Sequence, residues 1–182
     1  STVQERVALI EEHVDFLTTK FSTEAIKKLY ITQEGIDLWE TEYEGGRLFL
    51  QLQFAIGQRK EGNMLIALKL DDVFLYQMMV WIAKSPVADE KALYIGAMQG
   101  PSVDHGNELI KGLTKRFFGY RTKNLILYAT RAFARALKLS KIYAVTNEGY
   151  YANNHVRVDR KLKTSFNDFW AETGGFPCRD TR

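Results

Sequence analysis

Apolar residues in this chain recur first at helical and then at strand spacing. Val3, Val7, Ile10, Val14 and Leu17 fall on one face of a predicted helix. Ser22-Thr23-Glu24-Ala25 reads as the start of a second, with Ile26, Leu29 and Tyr30 as its apolar contacts. Gly45-Gly46 is a break. Leu48, Leu50, Leu52, Phe54 and Ile56 then alternate with mixed residues, as do Met64, Ile66, Leu68 and Leu70 after the turn Arg59-Lys60-Glu61-Gly62-Asn63. That pattern predicts a hairpin. Asp71-Asp72 is a second turn, and residues 73–83 are apolar on both faces, as in a central strand. A polar loop with Pro86 leads to a fourth strand over 93–98. Four sequential strands with short connections predict an antiparallel meander.

The period then changes. Leu109, Ile110, Leu113 and Phe117 share one helical face, and Gly119-Tyr120-Arg121-Thr122 marks a break. A further helix is predicted over 123–139, with Leu125, Tyr128, Ala132, Ala136 and Leu139 as its apolar stripe. Arg131, Arg135 and Lys138 form a basic stripe on another face. Residues 141–146 read as a fifth strand, parallel to the fourth through a right-handed crossover. A polar loop follows. Ser165 caps a last helix with Phe166, Phe169 and Trp170 inward, ended by Gly174-Gly175. The expected fold is one α+β (α/β) domain over residues 1–182, a mixed, largely antiparallel sheet flanked by helices.

Composition adds little: 46% hydrophobic and 26% charged residues describe an ordinary globular chain. No apolar run approaches the roughly 20 residues that span a bilayer. No basic segment followed by an apolar one opens the chain, so a secretory signal is not expected. The single cysteine, Cys178, is read as a free thiol in a reducing cytoplasm. Charge is more informative. The net +3 hides an acidic first quarter (Glu11, Glu12, Glu40, Glu42 and Glu44 among its acids) and a basic stretch from 107 to 163. The basic stretch suits an anionic partner, a phosphate-bearing small molecule, an acidic carrier protein or lipid headgroups; it also suits a solvated helix surface. Aromatics among the bases (Phe117, Phe118, Tyr120) evoke nucleic-acid stacking, but Phe117 fits the core stripe and that reading is disfavoured.

Candidate chemistry gathers after the fourth strand. Gln99, Gly100, Pro101 and Ser102 through Gly106 form a glycine loop that leads into a helix N-terminus, where amides and partial positive charge hold anions; an ordinary connection has the same composition. Arg121 and Lys123 are candidate phosphate or carboxylate contacts, or turn residues capping carbonyls. His155, in the loop after the fifth strand, has a reference pKa suited to a general base. Asn147 at that strand's end orients substrate or shapes a turn. His105 lies beside the glycine loop, and His13 is read as structural. The histidines and carboxylates have no metal-ligand spacing, so no metal is expected. Neither a nucleophile elbow, a P-loop nor a dinucleotide fingerprint is present.

Six segments carry a family resemblance: 59–62 (Arg-Lys-Glu-Gly), 93–100, 119–125, 131–137, 145–147 and 168–175. As an ordered set they resemble the VirK/YbjX family of bacterial proteins, with Thr122 where that family's pattern has proline. The resemblance implies a role in envelope maintenance, virulence and tolerance of cationic peptides; the expected localisation is cytoplasmic, peripheral to the inner membrane if the protein meets a membrane. The order of elements is also similar to the GNAT acyltransferase fold, ending in Phe169-Trp170, then Gly174-Gly175-Phe176. That likeness implies acyl-CoA or acyl-carrier protein as donor, its phosphates on Gln99, Gly100, Ser102, Gly106, Arg121 and Lys123, and His155 or water as proton acceptor near Asn147. The glycine loop lacks the fold's usual Gln/Arg-x-x-Gly-x-Gly/Ala spacing. The competing expectation is a non-catalytic accessory protein that uses the same basic face on lipid phosphates.

Overall fold

The structure is a computed structural model that describes residues 2–55, 62–101, 106–150 and 165–178. Two helices open it, α1 (Val3–Thr18) and α2 (Thr23–Tyr30). Both begin where side chains answer orphan amides. At α1, Thr2 and Glu5 form a reciprocal capping box; at α2, Ser22 accepts from the Ala25 N–H at 3.2 Å. Five strands then meander antiparallel: β1 (Ile36–Tyr43), β2 (Gly46–Phe54), β3 (Met64–Leu70), β4 (Val73–Lys84) and β5 (Lys91–Gln99). Helices α3 (Gly106–Arg116) and α4 (Thr122–Ala136) lead back to β6 (Ile142–Ala144), which pairs parallel to β5, and α5 (Phe166–Glu172) follows.

The mixed six-stranded sheet is the α+β architecture expected, with one strand more. The additional strand is β1, over which the sequence pattern predicts no element. Its sequence, IDLWETEY, is exposed at all but its two ends, so an edge strand with water on both faces carries no hydrophobic alternation. Glu44 and Gly45, both at positive φ, make the tight turn into β2, so Gly45-Gly46 is the corner of a hairpin rather than the end of a loop.

Leu48, Leu50 and Leu52 of β2, Met64, Ile66 and Leu68 of β3, Met78, Val80 and Ile82 of β4, and Leu93 and Ile95 of β5 project to one face. There they meet Leu17, Leu29, Leu113, Ile126, Phe133, Phe166 and Phe169 from the helices. Each such side chain, fully buried, contributes about 1.5–3 kcal/mol of transfer free energy. The opposite face carries small residues and a stack of rings: Trp81, Tyr94 and Tyr143 lie across β4, β5 and β6 with centroids 5.2 Å apart at each step.

Two helix faces differ from expectation. In α1, Val3, Val7 and Ile10 are exposed, and the buried pair is His13 and Leu17. The helix needs a polar residue inside because it covers a strand edge: β3 stops opposite Val80, and His13 accepts the free Ile82 N–H at 2.9 Å, while Glu12 accepts that of Lys84 at 2.8 Å. In α4 the buried face is Ile126, Leu127, Ala129, Thr130, Phe133 and Ala134; Tyr128 is 58% exposed and Ala132 and Ala136 are exposed too. Apolar residues cover so much of this helix that spacing alone leaves its phase undetermined.

Candidate functional site

The sheet opens where β5 outruns β6. The two strands pair at Leu93–Ile142, Tyr94–Tyr143 and Ile95–Ala144, and the Val145 N–H adds a bond to the Ile95 carbonyl at 2.8 Å. β5 continues for four residues to Gln99, in register with β4 but beyond the last residue paired with β6. The register against β4 shifts here as well: Met79 faces Ala97 and Val80 faces Ile95, so Gly96 is an unpaired bulge residue. Bulges bend a strand and redirect its polar groups, and this one lies where the neighbouring strand departs. Gly96, Ala97 and Met98 are buried, Gln99 is exposed and Gly100 half-buried with the Tyr76 ring 3.6 Å from where its Cβ would lie. Gly106 is buried at the first turn of α3. Ser102 and His105 lie outside the described residues.

α4 approaches the same end of β6. Arg121 is its N-cap, exposed and without a side-chain cap bond, and the first turn holds no acid. The Arg121 carbonyl accepts from the Asn124 and Leu125 amides. An uncapped helix start without a carboxylate leaves the positive end of the dipole open. Lys123 places Nζ 4.8 Å from the Phe169 ring centroid, a cation–π contact to α5. Phe169 abuts Trp170 at 4.9 Å, and the Trp170 indole N–H donates to the Val145 carbonyl at 2.8 Å. Thus Lys123 is tied through α5 to the point where β6 leaves β5, and Arg121 stands two residues before it at the start of the same helix. The glycine loop opens α3 instead, so the six candidate donor contacts belong to two helix starts.

Asn147 has a fixed task. Its Oδ1 accepts from the Phe166 N–H at 2.8 Å, its Nδ2 donates to Ser165 Oγ at 3.2 Å, and its own N–H donates to Asn167 Oδ1 at 3.0 Å. Its amide fastens the end of β6 to the start of α5, the turn-shaping alternative. His155 lies outside the described residues. His13 is buried, in keeping with a structural role, and burial lowers its pKa from 6.5 to about 4. Cys178 is free and exposed. Among the described residues no cluster of three or more His, Cys, Asp or Glu is placed to hold a metal, and no helix is long and apolar enough to cross a membrane. The Gly96 bulge and the partial pairing of β6 were not legible in the sequence. Gly96 between two buried strand residues was the only available sign.

All of residues 1–182 match a family described as Protein of unknown function (DUF535). The chain is also similar to the Uncharacterized protein YbjX of Escherichia coli (strain K12), 27% identical over 151 residues. The match covers 81% of this chain and 45% of that relative, so the chain spans less than half its length. No solved structure matches. The chain therefore belongs to the DUF535 family, the VirK/YbjX family that its ordered segments resemble.

Proposed function

We propose that this chain is an acyltransferase of GNAT-like build that moves an acyl group from acyl-CoA or an acyl-carrier protein to an amine or hydroxyl. The observation that supports this reading is the parting of β5 from β6 beside the Gly96 bulge. An acyl thioester has an extended, amide-bearing arm. Among the described residues β6 pairs with β5 only as far as Ile95, and an extended arm of this kind is suited to the strand edge beyond that point. A backbone N–H at the bulge would polarise the thioester carbonyl. The acceptor's nitrogen or oxygen then adds to that carbon, the carbon–sulfur bond breaks, and the thiolate leaves with the pair. His155 or an ordered water takes the acceptor's proton. Arg121 and Lys123 would hold the donor phosphates at the open start of α4, Lys123 swinging from the Phe169 ring.

Thermal-shift titration with CoA, short and long acyl-CoAs and acyl-carrier protein, alongside native mass spectrometry, tests this. A saturable stabilisation that falls about tenfold in apparent affinity with Arg121→Ala would support the reading, since a charged phosphate contact is worth about 1.5–3 kcal/mol. No stabilisation by any donor, with stabilisation by phospholipid or lipid A headgroups, would instead favour the non-catalytic accessory role.

A further inference from the structure

The turn between α3 and α4 contains a residue whose placement costs free energy twice. α3 ends in a Schellman motif: the Gly119 N–H donates to the Thr114 carbonyl at 2.8 Å and the Phe118 N–H to that of Lys115 at 3.2 Å. The residue after the cap in this motif adopts left-handed backbone and is usually glycine. Here it is Phe118, at φ +53°, and its side chain is 99% exposed. Glycine would relieve the backbone, and almost any residue would expose less apolar surface. Tyr120, 45% exposed, lies two residues on. Lys111, Lys115 and Arg116 of α3, the helix that leads into the turn, are all exposed; Glu42 of β1 borders the same corner as Arg116 and Phe118 and offsets part of that charge.

We infer that the Phe118 turn is an anchor for an anionic bilayer surface. At 99% exposure the ring packs against almost nothing of its own chain, and the cations lie on the helix that leads into the turn. That arrangement matches a lipid interface, where a ring enters the acyl boundary while cations meet headgroup phosphates. One ring and a few cations give weak, reversible attachment. The inference concerns a different surface from the β5–β6 opening and holds whether or not acyl transfer is the activity.

Cosedimentation with vesicles of phosphatidylglycerol and phosphatidylethanolamine tests it. The 182-residue chain is expected to bind these and not phosphatidylcholine vesicles, more weakly as salt rises. Phe118→Gly should reduce partitioning about tenfold, as expected for withdrawing one aromatic from the interface, while its Tm stays at or above the parent's, because glycine suits this backbone. Lys111→Ala with Lys115→Ala should reduce it further. Equal partitioning of Phe118→Gly and parent would overturn the inference, as would no binding to anionic vesicles. So would Phe118-dependent binding of a single-stranded oligonucleotide without vesicle binding, which would make the ring a base-stacking platform.

Discussion

His13 should make this protein acid-sensitive well above the pH at which carboxylates titrate. The ring is completely buried; Nδ1 accepts the Ile82 N–H at 2.9 Å, and Nε2 lies 3.0 Å from the Tyr30 hydroxyl. Since Nδ1 must accept, the neutral ring carries its proton on Nε2 and donates it to Tyr30. Protonating Nδ1 would bring two N–H groups face to face in a dry site. Burial accordingly lowers the pKa from 6.5 to about 4. In the unfolded chain the ring binds its proton near pH 6.5, in the folded chain only near 4, so between these values the unfolded state holds more protons. Stability therefore falls as pH drops through this window, and the loss is complete below about 4. At about 1.4 kcal/mol per pH unit, the gap amounts to about 3 kcal/mol. Asp37, Asp89, Glu90 and Glu148 are also held below their usual range, chiefly by hydrogen bonds. What they add begins to be lost at about pH 5, as the ordinary carboxylate range is approached from above, so the interval from about 6.5 to 5 isolates the histidine. Urea unfolding followed by tryptophan fluorescence at pH 7, 6, 5 and 4.5 measures the slope. His13→Asn keeps an acceptor near the Ile82 amide and removes the titration, so it should start less stable and stay flat across that interval. Parallel declines in variant and parent would refute the argument.

Other substitutions probe separate links. Gly62→Ala should destabilise by about 1–3 kcal/mol in chemical denaturation, because a Cβ there would lie 2.8 Å from the Val80 nitrogen and 3.0 Å from its carbonyl oxygen, both backbone. Asn147→Ala removes the acceptor of the Phe166 N–H and one of the two donors to Ser165 Oγ, which keeps the Asp168 N–H, and should cost about 1–3 kcal/mol; an unchanged Tm would mean that the α5 junction does not depend on it. Phe169→Ala should cost about 3–5 kcal/mol from the core and also free Lys123, read as a lower urea midpoint.

Legibility followed burial. Alternation marks β2 and β3, whereas β4 is marked by apolar residues on both faces, in keeping with buried clusters on either side of the sheet. Ser22 and Ser165 were readable as caps because capping is local chemistry, and both do accept the expected amides. β1 was missed because water on both faces removes the periodic signal. The face of α1 was misread because its inward groups include Glu12 and His13, chosen for a strand edge that no sequence period announces. At the candidate site, Arg121 and Lys123 were identifiable as residue types, but the connection of Lys123 to β6 through Phe169 and Trp170 depends on tertiary packing. Asn147 had two readings in the sequence, and its three bonds to the α5 start are of the turn-shaping kind.

The way α1 lies on β4 also bears on how the chain avoids sticking to itself. β4 runs to Lys84 while β3 ends opposite Val80, which leaves the amides of Ile82 and Lys84 facing outward from the sheet. Open amides beside an apolar strand are a template on which another chain's strand can grow. Two side chains of α1 fill both positions, and Lys91 pairs with Glu12 to hold the second in place. The first helix is thus a chain-end guard: a copy in which it detaches, whether by acid at His13 or by truncation, should form aggregates through β4 long before its hydrophobic core has come apart.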